Sequence, residues 1–299
     1  MYRIGVLETT SATLNAVNMD AFRKGLQELG YIEGKNYIVE YRSADGVAAR
    51  FPKHVAELVG LQVDIIVTRG TPAAQAAKDA TAVIPVVMAA IGEPLGVGVV
   101  DSLARPGGNV TGFSAFVTEL AGKRVELAKE AFPGSLRVGL LNNMSNPVIP
   151  PQWEETEKAA FLLGMQAVFL DVRTAGDVVG AFEQAVGQGI DVLLVGIDAI
   201  TQVNREHIAE LATKHRLPAI YASREFVDAG GLMTYGVSYP QLYFRAAALV
   251  DKIFKGAKPG DIPVQQPTKL ELVINLKSAK AIGIELPPMI LQRADEVIE

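Results

Sequence analysis

The residues able to do chemistry in this chain are hydroxyls, amides and a few carboxylates that follow short apolar runs. In 67-VTRGTPAAQAAKDA-80 an apolar run stops at Arg69-Gly70, and Thr71-Pro72 opens a helix. Gly70 permits a tight turn, Thr71 is a good N-cap, and Pro72 suits a first helical position. Free N–H groups and the helix dipole make such an end a seat for one anion. No G-x-x-x-x-G-K-[ST] or G-x-G-x-x-G occurs, so a di- or triphosphate is a poor fit and a carboxylate a better one. An acyl group fits no better, because a hydroxyl nucleophile needs a base beside it. The three histidines, His54, His207 and His215, all fall within expected helices.

Other loops of the same kind follow further apolar runs. One is 8-ETTSAT-13, offering Thr9, Ser11 and Thr13. Another is 90-AIGEP-94, with Ala90 and Glu93. In the second half 142-NNMSNP-147 supplies Asn142, Asn143, Ser145 and Asn146, and 197-IDAIT-201 supplies Asp198. The last, 221-YASRE-225, supplies Tyr221 and Ser223. Asp198 and Glu93 suit an ammonium group and equally suit capping their helices. Trp153 and Tyr221 suit stacking on a planar solute and equally suit a core. Arg69 and Arg224 flank two of the loops and would pair with a carboxylate or simply face solvent.

The elements that must position these loops alternate along the chain. Apolar runs such as 2-YRIGVL-7, 37-YIVEYR-42, 63-VDIIV-67 and 84-IPVVM-88 read as strands covered on both faces. Between them run helical stripes, among them Met19, Phe22, Leu26 and Leu29. A short helix is expected near residues 95–103. After 110-VTGFS-114 the alternation restarts, with Thr118 as a cap for a helix running to Phe132. Strands follow at 136-LRVGLL-141, 166-QAVFL-170, 191-DVLLVGI-197 and 217-LPAIY-221, with a helix from about Thr201 to His215. The tail adds a helix from Tyr239 to Lys255 and extended segments at 270-LELVINL-276 and 284-IELPP-288.

Such alternation implies parallel sheets with right-handed crossovers. About ten units exceed one open sheet, so the fold class is α/β with two similar doubly wound lobes. A closed eight-stranded barrel is the rival, and the 299 residues lie above its usual ~250. In open α/β sheets ligands bind beyond the carboxyl ends of strands, which is where the loops named above lie.

Composition narrows the partners. The net charge is −5, and Lys and Arg are scattered, which argues against a nucleic-acid surface. The chain has no cysteine, so neither a disulfide framework nor a thiol nucleophile is available. The longest apolar runs fall short of the ~20 residues that span a bilayer. No cofactor or metal is expected. The chain enters a strand at once after Met1, so it is either cytosolic or the trimmed form of an exported protein.

Taken in order, several segments resemble the substrate-binding proteins of ABC importers. They are 20-DAFRKGLQELGYIEGKNYIVEYR-42, 70-GTPAAQAAK-78, 102-SLARPGGNVTGFS-114, 121-AGKRVELAKEAFP-133, 216-RLPAIYASREFVDAGGLMTYG-236 and 267-PTKLELVINLKSAKAIGIELPP-288. The chain resembles the type I periplasmic-binding branch that contains tryptophan- and aromatic-amino-acid-binding members. That resemblance implies two lobes joined by three crossovers: residues 1–114 plus about 237–268, and residues 115–236 plus about 269–299. It implies a solute cleft between them, faced by Ser11, Thr13, Gly70, Thr71 and Pro72 from one lobe and by the 142–146 loop, Asp198 and Ser223 from the other. It further implies an exported monomer, periplasmic or lipid-anchored, serving a membrane permease with a separate ATPase. The expected solute is small and bears a carboxylate: an amino acid, aromatic or otherwise hydrophobic, or an aromatic acid. Many relatives carry Asp where Glu93 stands, and the 144-MSNPVIPP-151 loop has an unusual pair of prolines. A sensory ligand-binding domain of the same fold is the alternative, and an α/β enzyme is disfavoured by the lack of an acid–base set.

Overall fold

The computed structural model describes residues 1–299 and divides them into two compact units. Unit one comprises Met1–Phe116 and Tyr239–Thr268, and unit two comprises Val117–Ser238 and Lys269–Glu299, so the chain passes between them three times.

Unit one is a five-stranded parallel sheet in the order β2-β1-β3-β4-β5. The strands are β1 (Tyr2–Glu8), β2 (Tyr37–Ser43), β3 (Ile65–Arg69), β4 (Val86–Ile91) and β5 (Val110–Ser114). All residues of β3, β4 and β5 are buried, as expected of parallel strands covered on both faces. Helices α1 (Ala16–Glu28), α2 (Phe51–Gly60) and α3 (Thr71–Ala80) follow β1, β2 and β3. A later helix, α10 (Tyr239–Phe254), packs along α1. Leu7, Phe51, Leu58, Ile66 and Met88 belong to one core cluster beneath α2 and α3.

Unit two is a seven-stranded sheet in the order β12-β11-β10-β9-β8-β6-β7. Its strands are β6 (Arg137–Asn142), β7 (Gln166–Asp171), β8 (Val192–Val195), β9 (Ala219–Tyr221), β10 (Met233–Val237), β11 (Leu270–Asn275) and β12 (Glu296–Ile298). Its helices are α4 (Val117–Ala131), α5 (Ile149–Leu162), α6 (Asp177–Gly187), α7 (Ala199–Val203), α8 (Arg205–Lys214), α9 (Arg224–Asp228), α11 (Leu276–Ile282) and α12 (Pro288–Arg293). Two clusters fill it, one around Val138, Val192 and Ile274 and the other around Phe182, Leu193 and Tyr221.

The α/β class and the two parallel-sheet lobes agree with the sequence. Several elements differ. Residues 94–98 form turns instead of a helix, because Pro94, Gly96 and Gly98 break the pattern and Gly98 sits at φ 69°. The expected 201–215 helix is broken at Asn204 into α7 and α8. Residues 284–288 pair with no strand, while β12 adds the sheet's edge strand. β11 runs antiparallel to β10, the single antiparallel junction in the sheet. No helix is long and apolar enough to cross a membrane.

Candidate functional site

In unit one, β1, β3 and β4 are adjacent and parallel, so their carboxyl ends bring Thr9–Thr13, Gly70–Pro72 and Ala90–Glu93 to one sheet edge. The Gly70 N–H donates to the Ala90 carbonyl at 2.8 Å, which leaves Ala90 a backbone tie. Thr9 is buried, and its methyl group would lie 3.1 Å from a Cβ at position 70. Ser11 is half-buried, and its Oγ accepts from the Leu14 N–H at 3.3 Å; Thr13 is exposed. Glu93 is half-buried beside Gly96.

Thr71 departs from the expected cap. Gly70 occupies the N-cap at φ 87° and ψ 152°, a conformation costly for any side chain. Thr71 is therefore already inside the helix, where its hydroxyl cannot reach back to cap. The side chain is 2% exposed, and Oγ1 has no hydrogen-bond partner. Pro72 has no N–H to lose at this turn. A buried donor thus stands beside the unpaired N–H groups of a ten-residue helix.

Behind this edge lies a buried polar cluster that the sequence reading did not assemble. Arg69, last in β3, is buried; its guanidinium lies 4.3 Å from the Tyr239 ring centre and donates to Asn15 Oδ1 at 3.4 Å. Glu8, last in β1, is buried and accepts a hydrogen bond from the Tyr243 hydroxyl. Tyr41 donates to the Thr10 carbonyl at 2.8 Å, holding the 9–13 loop. Burial, and then the charge of Glu8, push both the Tyr41 and Tyr243 phenols well above the usual range, which keeps them protonated donors. The available signal was a charged residue ending each apolar run.

In unit two, β6, β8 and β9 are adjacent and parallel and present the second set of loops. Asp198 is their hub. It is the N-cap of α7: Oδ1 accepts from the Ile200 N–H at 3.0 Å and from Asn143 Nδ2 at 3.2 Å. Oδ2 accepts from Asn146 Nδ2 at 2.9 Å. In return the Thr201 hydroxyl accepts from the Asp198 N–H at 2.9 Å. Asn143 Oδ1 accepts the Ser145 hydroxyl at 2.6 Å, so the exposed Ser145 is turned back onto its own loop. Asn142 is fully buried: Oδ1 accepts from the Asn143 N–H, and Nδ2 lies against Gly196 without a partner.

The two aromatic candidates pack against apolar neighbours. Tyr221 is fully buried and stacked on Phe226 at 5.0 Å, so its ring is part of the core cluster. It sits on the inward side of β9, an orientation invisible in a strand apolar throughout. Trp153 is half-buried on α5, edge-on to Phe169 at 5.3 Å. Arg224 is committed to an ion pair with Glu296, flanked by Asp228. Ser223 is buried, and its Oγ bonds Gln202 at 3.2 Å and Glu225 at 3.3 Å. Gln202 is a further buried polar residue that helical patterning concealed.

Each unit presents polar loops at the carboxyl ends of its adjacent parallel strands. The sequence matches the ABC transporter substrate binding protein family over residues 3–298. The chain belongs to that family. It is 30% identical over 264 residues to a tyrosine-binding protein of Clostridioides difficile (strain R20291), covering 88% of this chain and 76% of the relative. A solved structure of a conserved domain protein from Vibrio cholerae has 30% identity, a TM-score of 0.91 and 99% coverage of both chains. An L-Trp complex from Streptococcus pneumonia has 29% identity, the same TM-score and the same coverage. A 5-methylthioribose transporter solute-binding protein from Thermotoga lettingae, at 14% identity and TM-score 0.64 over 97% of this chain and 95% of that one, shares the fold. The fold is that of type I periplasmic binding proteins, and the family is one of solute-binding proteins, not enzymes.

Proposed function

We propose that this chain is the solute-binding component of an ABC importer and that its solute is an amino acid with an aromatic or other hydrophobic side chain. The observation that carries the carboxylate half of this reading is the Thr71 hydroxyl, buried, unpartnered and beside an open helix end. A carboxylate docking there would accept from the hydroxyl and from backbone N–H groups. The ammonium half rests on Asp198, an oriented carboxylate with three donors already in place. The tyrosine-binding relative and the L-Trp complex support an aromatic side chain.

In this reading the two units close over the solute and exclude water, which strengthens each charge-assisted bond. Thr9, Ser11, Thr71 and Glu93 serve from unit one, and Asn142, Asn143, Asn146 and Asp198 from unit two. A micromolar dissociation constant corresponds to roughly −8 kcal/mol, within reach of a few charge-assisted bonds and one buried ring. The protein works outside the cytoplasm, free or lipid-anchored, and hands its solute to a permease driven by a separate ATPase.

The test is a thermal-shift screen of amino acids, aromatic acids, sugars and nucleosides, followed by small-angle scattering with the best hit. An aromatic amino acid at 100 times its dissociation constant should stabilise by about 2.7 kcal/mol. The radius of gyration should fall on binding. A screen answered only by sugars or nucleosides would defeat the amino-acid reading.

A further inference from the structure

The Ser223 hydroxyl has one proton to give. Its contact with the Glu225 carboxylate, at 3.3 Å, uses that proton, since a carboxylate only accepts. Ser223 Oγ must then accept in its 3.2 Å contact with Gln202, which turns the amide NH2 group toward Ser223. The reversed amide would face Ser223 with an oxygen and ask it to donate twice. Gln202 Oε1 is thereby fixed on the opposite side. The residue is 1% exposed, and Oε1 has no donor. An unmade bond of this kind in the interior costs about 1–3 kcal/mol, so it calls for a partner.

Asp198 stands one helical turn away, since the Gln202 N–H donates to its carbonyl at 3.0 Å. The Asp198 carboxylate has roughly four acceptor positions, and three are filled by Ile200, Asn143 and Asn146. One turn of the fold therefore carries a negative charge with one open lone-pair position and a fixed neutral acceptor with none filled. A cation carrying at least two N–H groups satisfies both, whereas a carboxylate, which only accepts, does not.

We infer that Gln202 is a specificity-determining residue whose Oε1 accepts a second hydrogen bond from the ligand's α-ammonium group, alongside Asp198. Ser223 and Glu225 are positioning residues that fix the amide. The inference rests on the amino-acid reading above and adds to it a requirement for a primary amine.

Calorimetric titration of the full chain tests it with L-Phe, L-Tyr, L-Trp and 3-phenylpropionate, the last lacking only the amine of L-Phe. Gln202→Met keeps the shape and removes the acceptor. Thermal melts of the variant without ligand establish that it is folded. Gln202→Met should weaken all three amino acids by about 10- to 100-fold, the worth of a hydrogen bond to a charged group. It should leave 3-phenylpropionate unchanged. Unchanged amino-acid affinity in Gln202→Met would mean that Oε1 holds only a buried water, and would overturn the inference. So would a loss confined to L-Tyr and L-Trp, which would place a ring donor there, or an equal loss for 3-phenylpropionate. Wild-type protein that binds none of the four compounds and no aliphatic hydrophobic amino acid removes the amino-acid reading itself, and this inference with it.

Discussion

Asn146 Nδ2 donates to Asp198 Oδ2 at 2.9 Å, tying the loop after β6 to the first turn after β8. Asn143 makes the matching bond to Oδ1. Both asparagines are held in turn, Asn143 by Ser145 and Asn146 by the Val148 N–H. The carboxylate is thus pinned by one neighbouring loop and by its own helix turn, with its charge directed by amides that carry none.

Replacing Asp198 by Asn should expose that design. The new amide cannot accept on both sides, so one of Asn143 and Asn146 would face an N–H group. The capping bond to Ile200 survives if the oxygen stays there, so folding stability should drop by only about 1–2 kcal/mol. Affinity for an ammonium-bearing solute should drop by about 10- to 100-fold. Denaturant titration and calorimetry separate the two numbers. A stability loss with intact affinity would reduce Asp198 to a helix cap.

The strands and most helices were legible because 2-YRIGVL-7, 136-LRVGLL-141 and similar runs are apolar on both faces and are separated by amphipathic stripes. Strand ends were less so: 63-VDIIV-67 became Ile65–Arg69, since a run without alternation does not mark where pairing stops. Thr71 was found at its turn, yet its expected capping role went to Gly70, a choice that depends on a positive φ which residue type only permits. Tyr221 follows the same strand rule as Asp198 follows, but a one-residue change of phase decides whether a side chain meets solvent or core. Gln202 and Tyr243 sit in helical stripes where a buried polar residue looks like a solvated one. Their partners Ser223 and Glu8 lie 21 and 235 residues away in sequence.

Thr71→Val separates ligand contact from helix capping. The hydroxyl makes no bond, so an isosteric methyl should leave stability within about 0.5 kcal/mol or raise it slightly. Carboxylate binding should weaken by about tenfold, the value of one hydrogen bond to a charged group. Thermal melts with and without ligand read both. A melting temperature well below wild type, with affinity unchanged, would return Thr71 to a purely structural role.

Gly196 should tolerate no side chain. A Cβ there would come 1.9 Å from Asn142 Nδ2, whose amide is already committed through Oδ1 to the Asn143 N–H. Gly196→Ala must therefore displace the 142–146 loop or shift β8, at about 1–3 kcal/mol by the usual cost of overpacking. Because Asn143 and Asn146 move with that loop, ligand affinity should fall together with stability. An alanine variant with wild-type denaturation midpoint and wild-type affinity would show that the loop is not held there.

The buried tyrosines predict an alkaline limit. Burial pushes Tyr221 and Tyr243 above their ordinary value, with Glu8 adding to the effect at Tyr243. Tyr31 is pushed up to about 12, by burial first and then by its hydrogen bond to Asp251. In the unfolded chain these phenols lose their protons near pH 10. Above that value the folded state binds more protons than the unfolded one, so stability falls as pH rises. The melting temperature should be insensitive to these groups up to about pH 10 and then decline through about pH 12. Tyrosinate absorbance should appear with unfolding and not before it for the buried rings. Tyr243→Phe should show a shallower decline, and it should also be about 1–3 kcal/mol less stable at neutral pH, because the buried Glu8 loses a hydroxyl donor. Equal slopes in the variant and the wild type would mean that the Tyr243 proton contributes nothing to folding in this range.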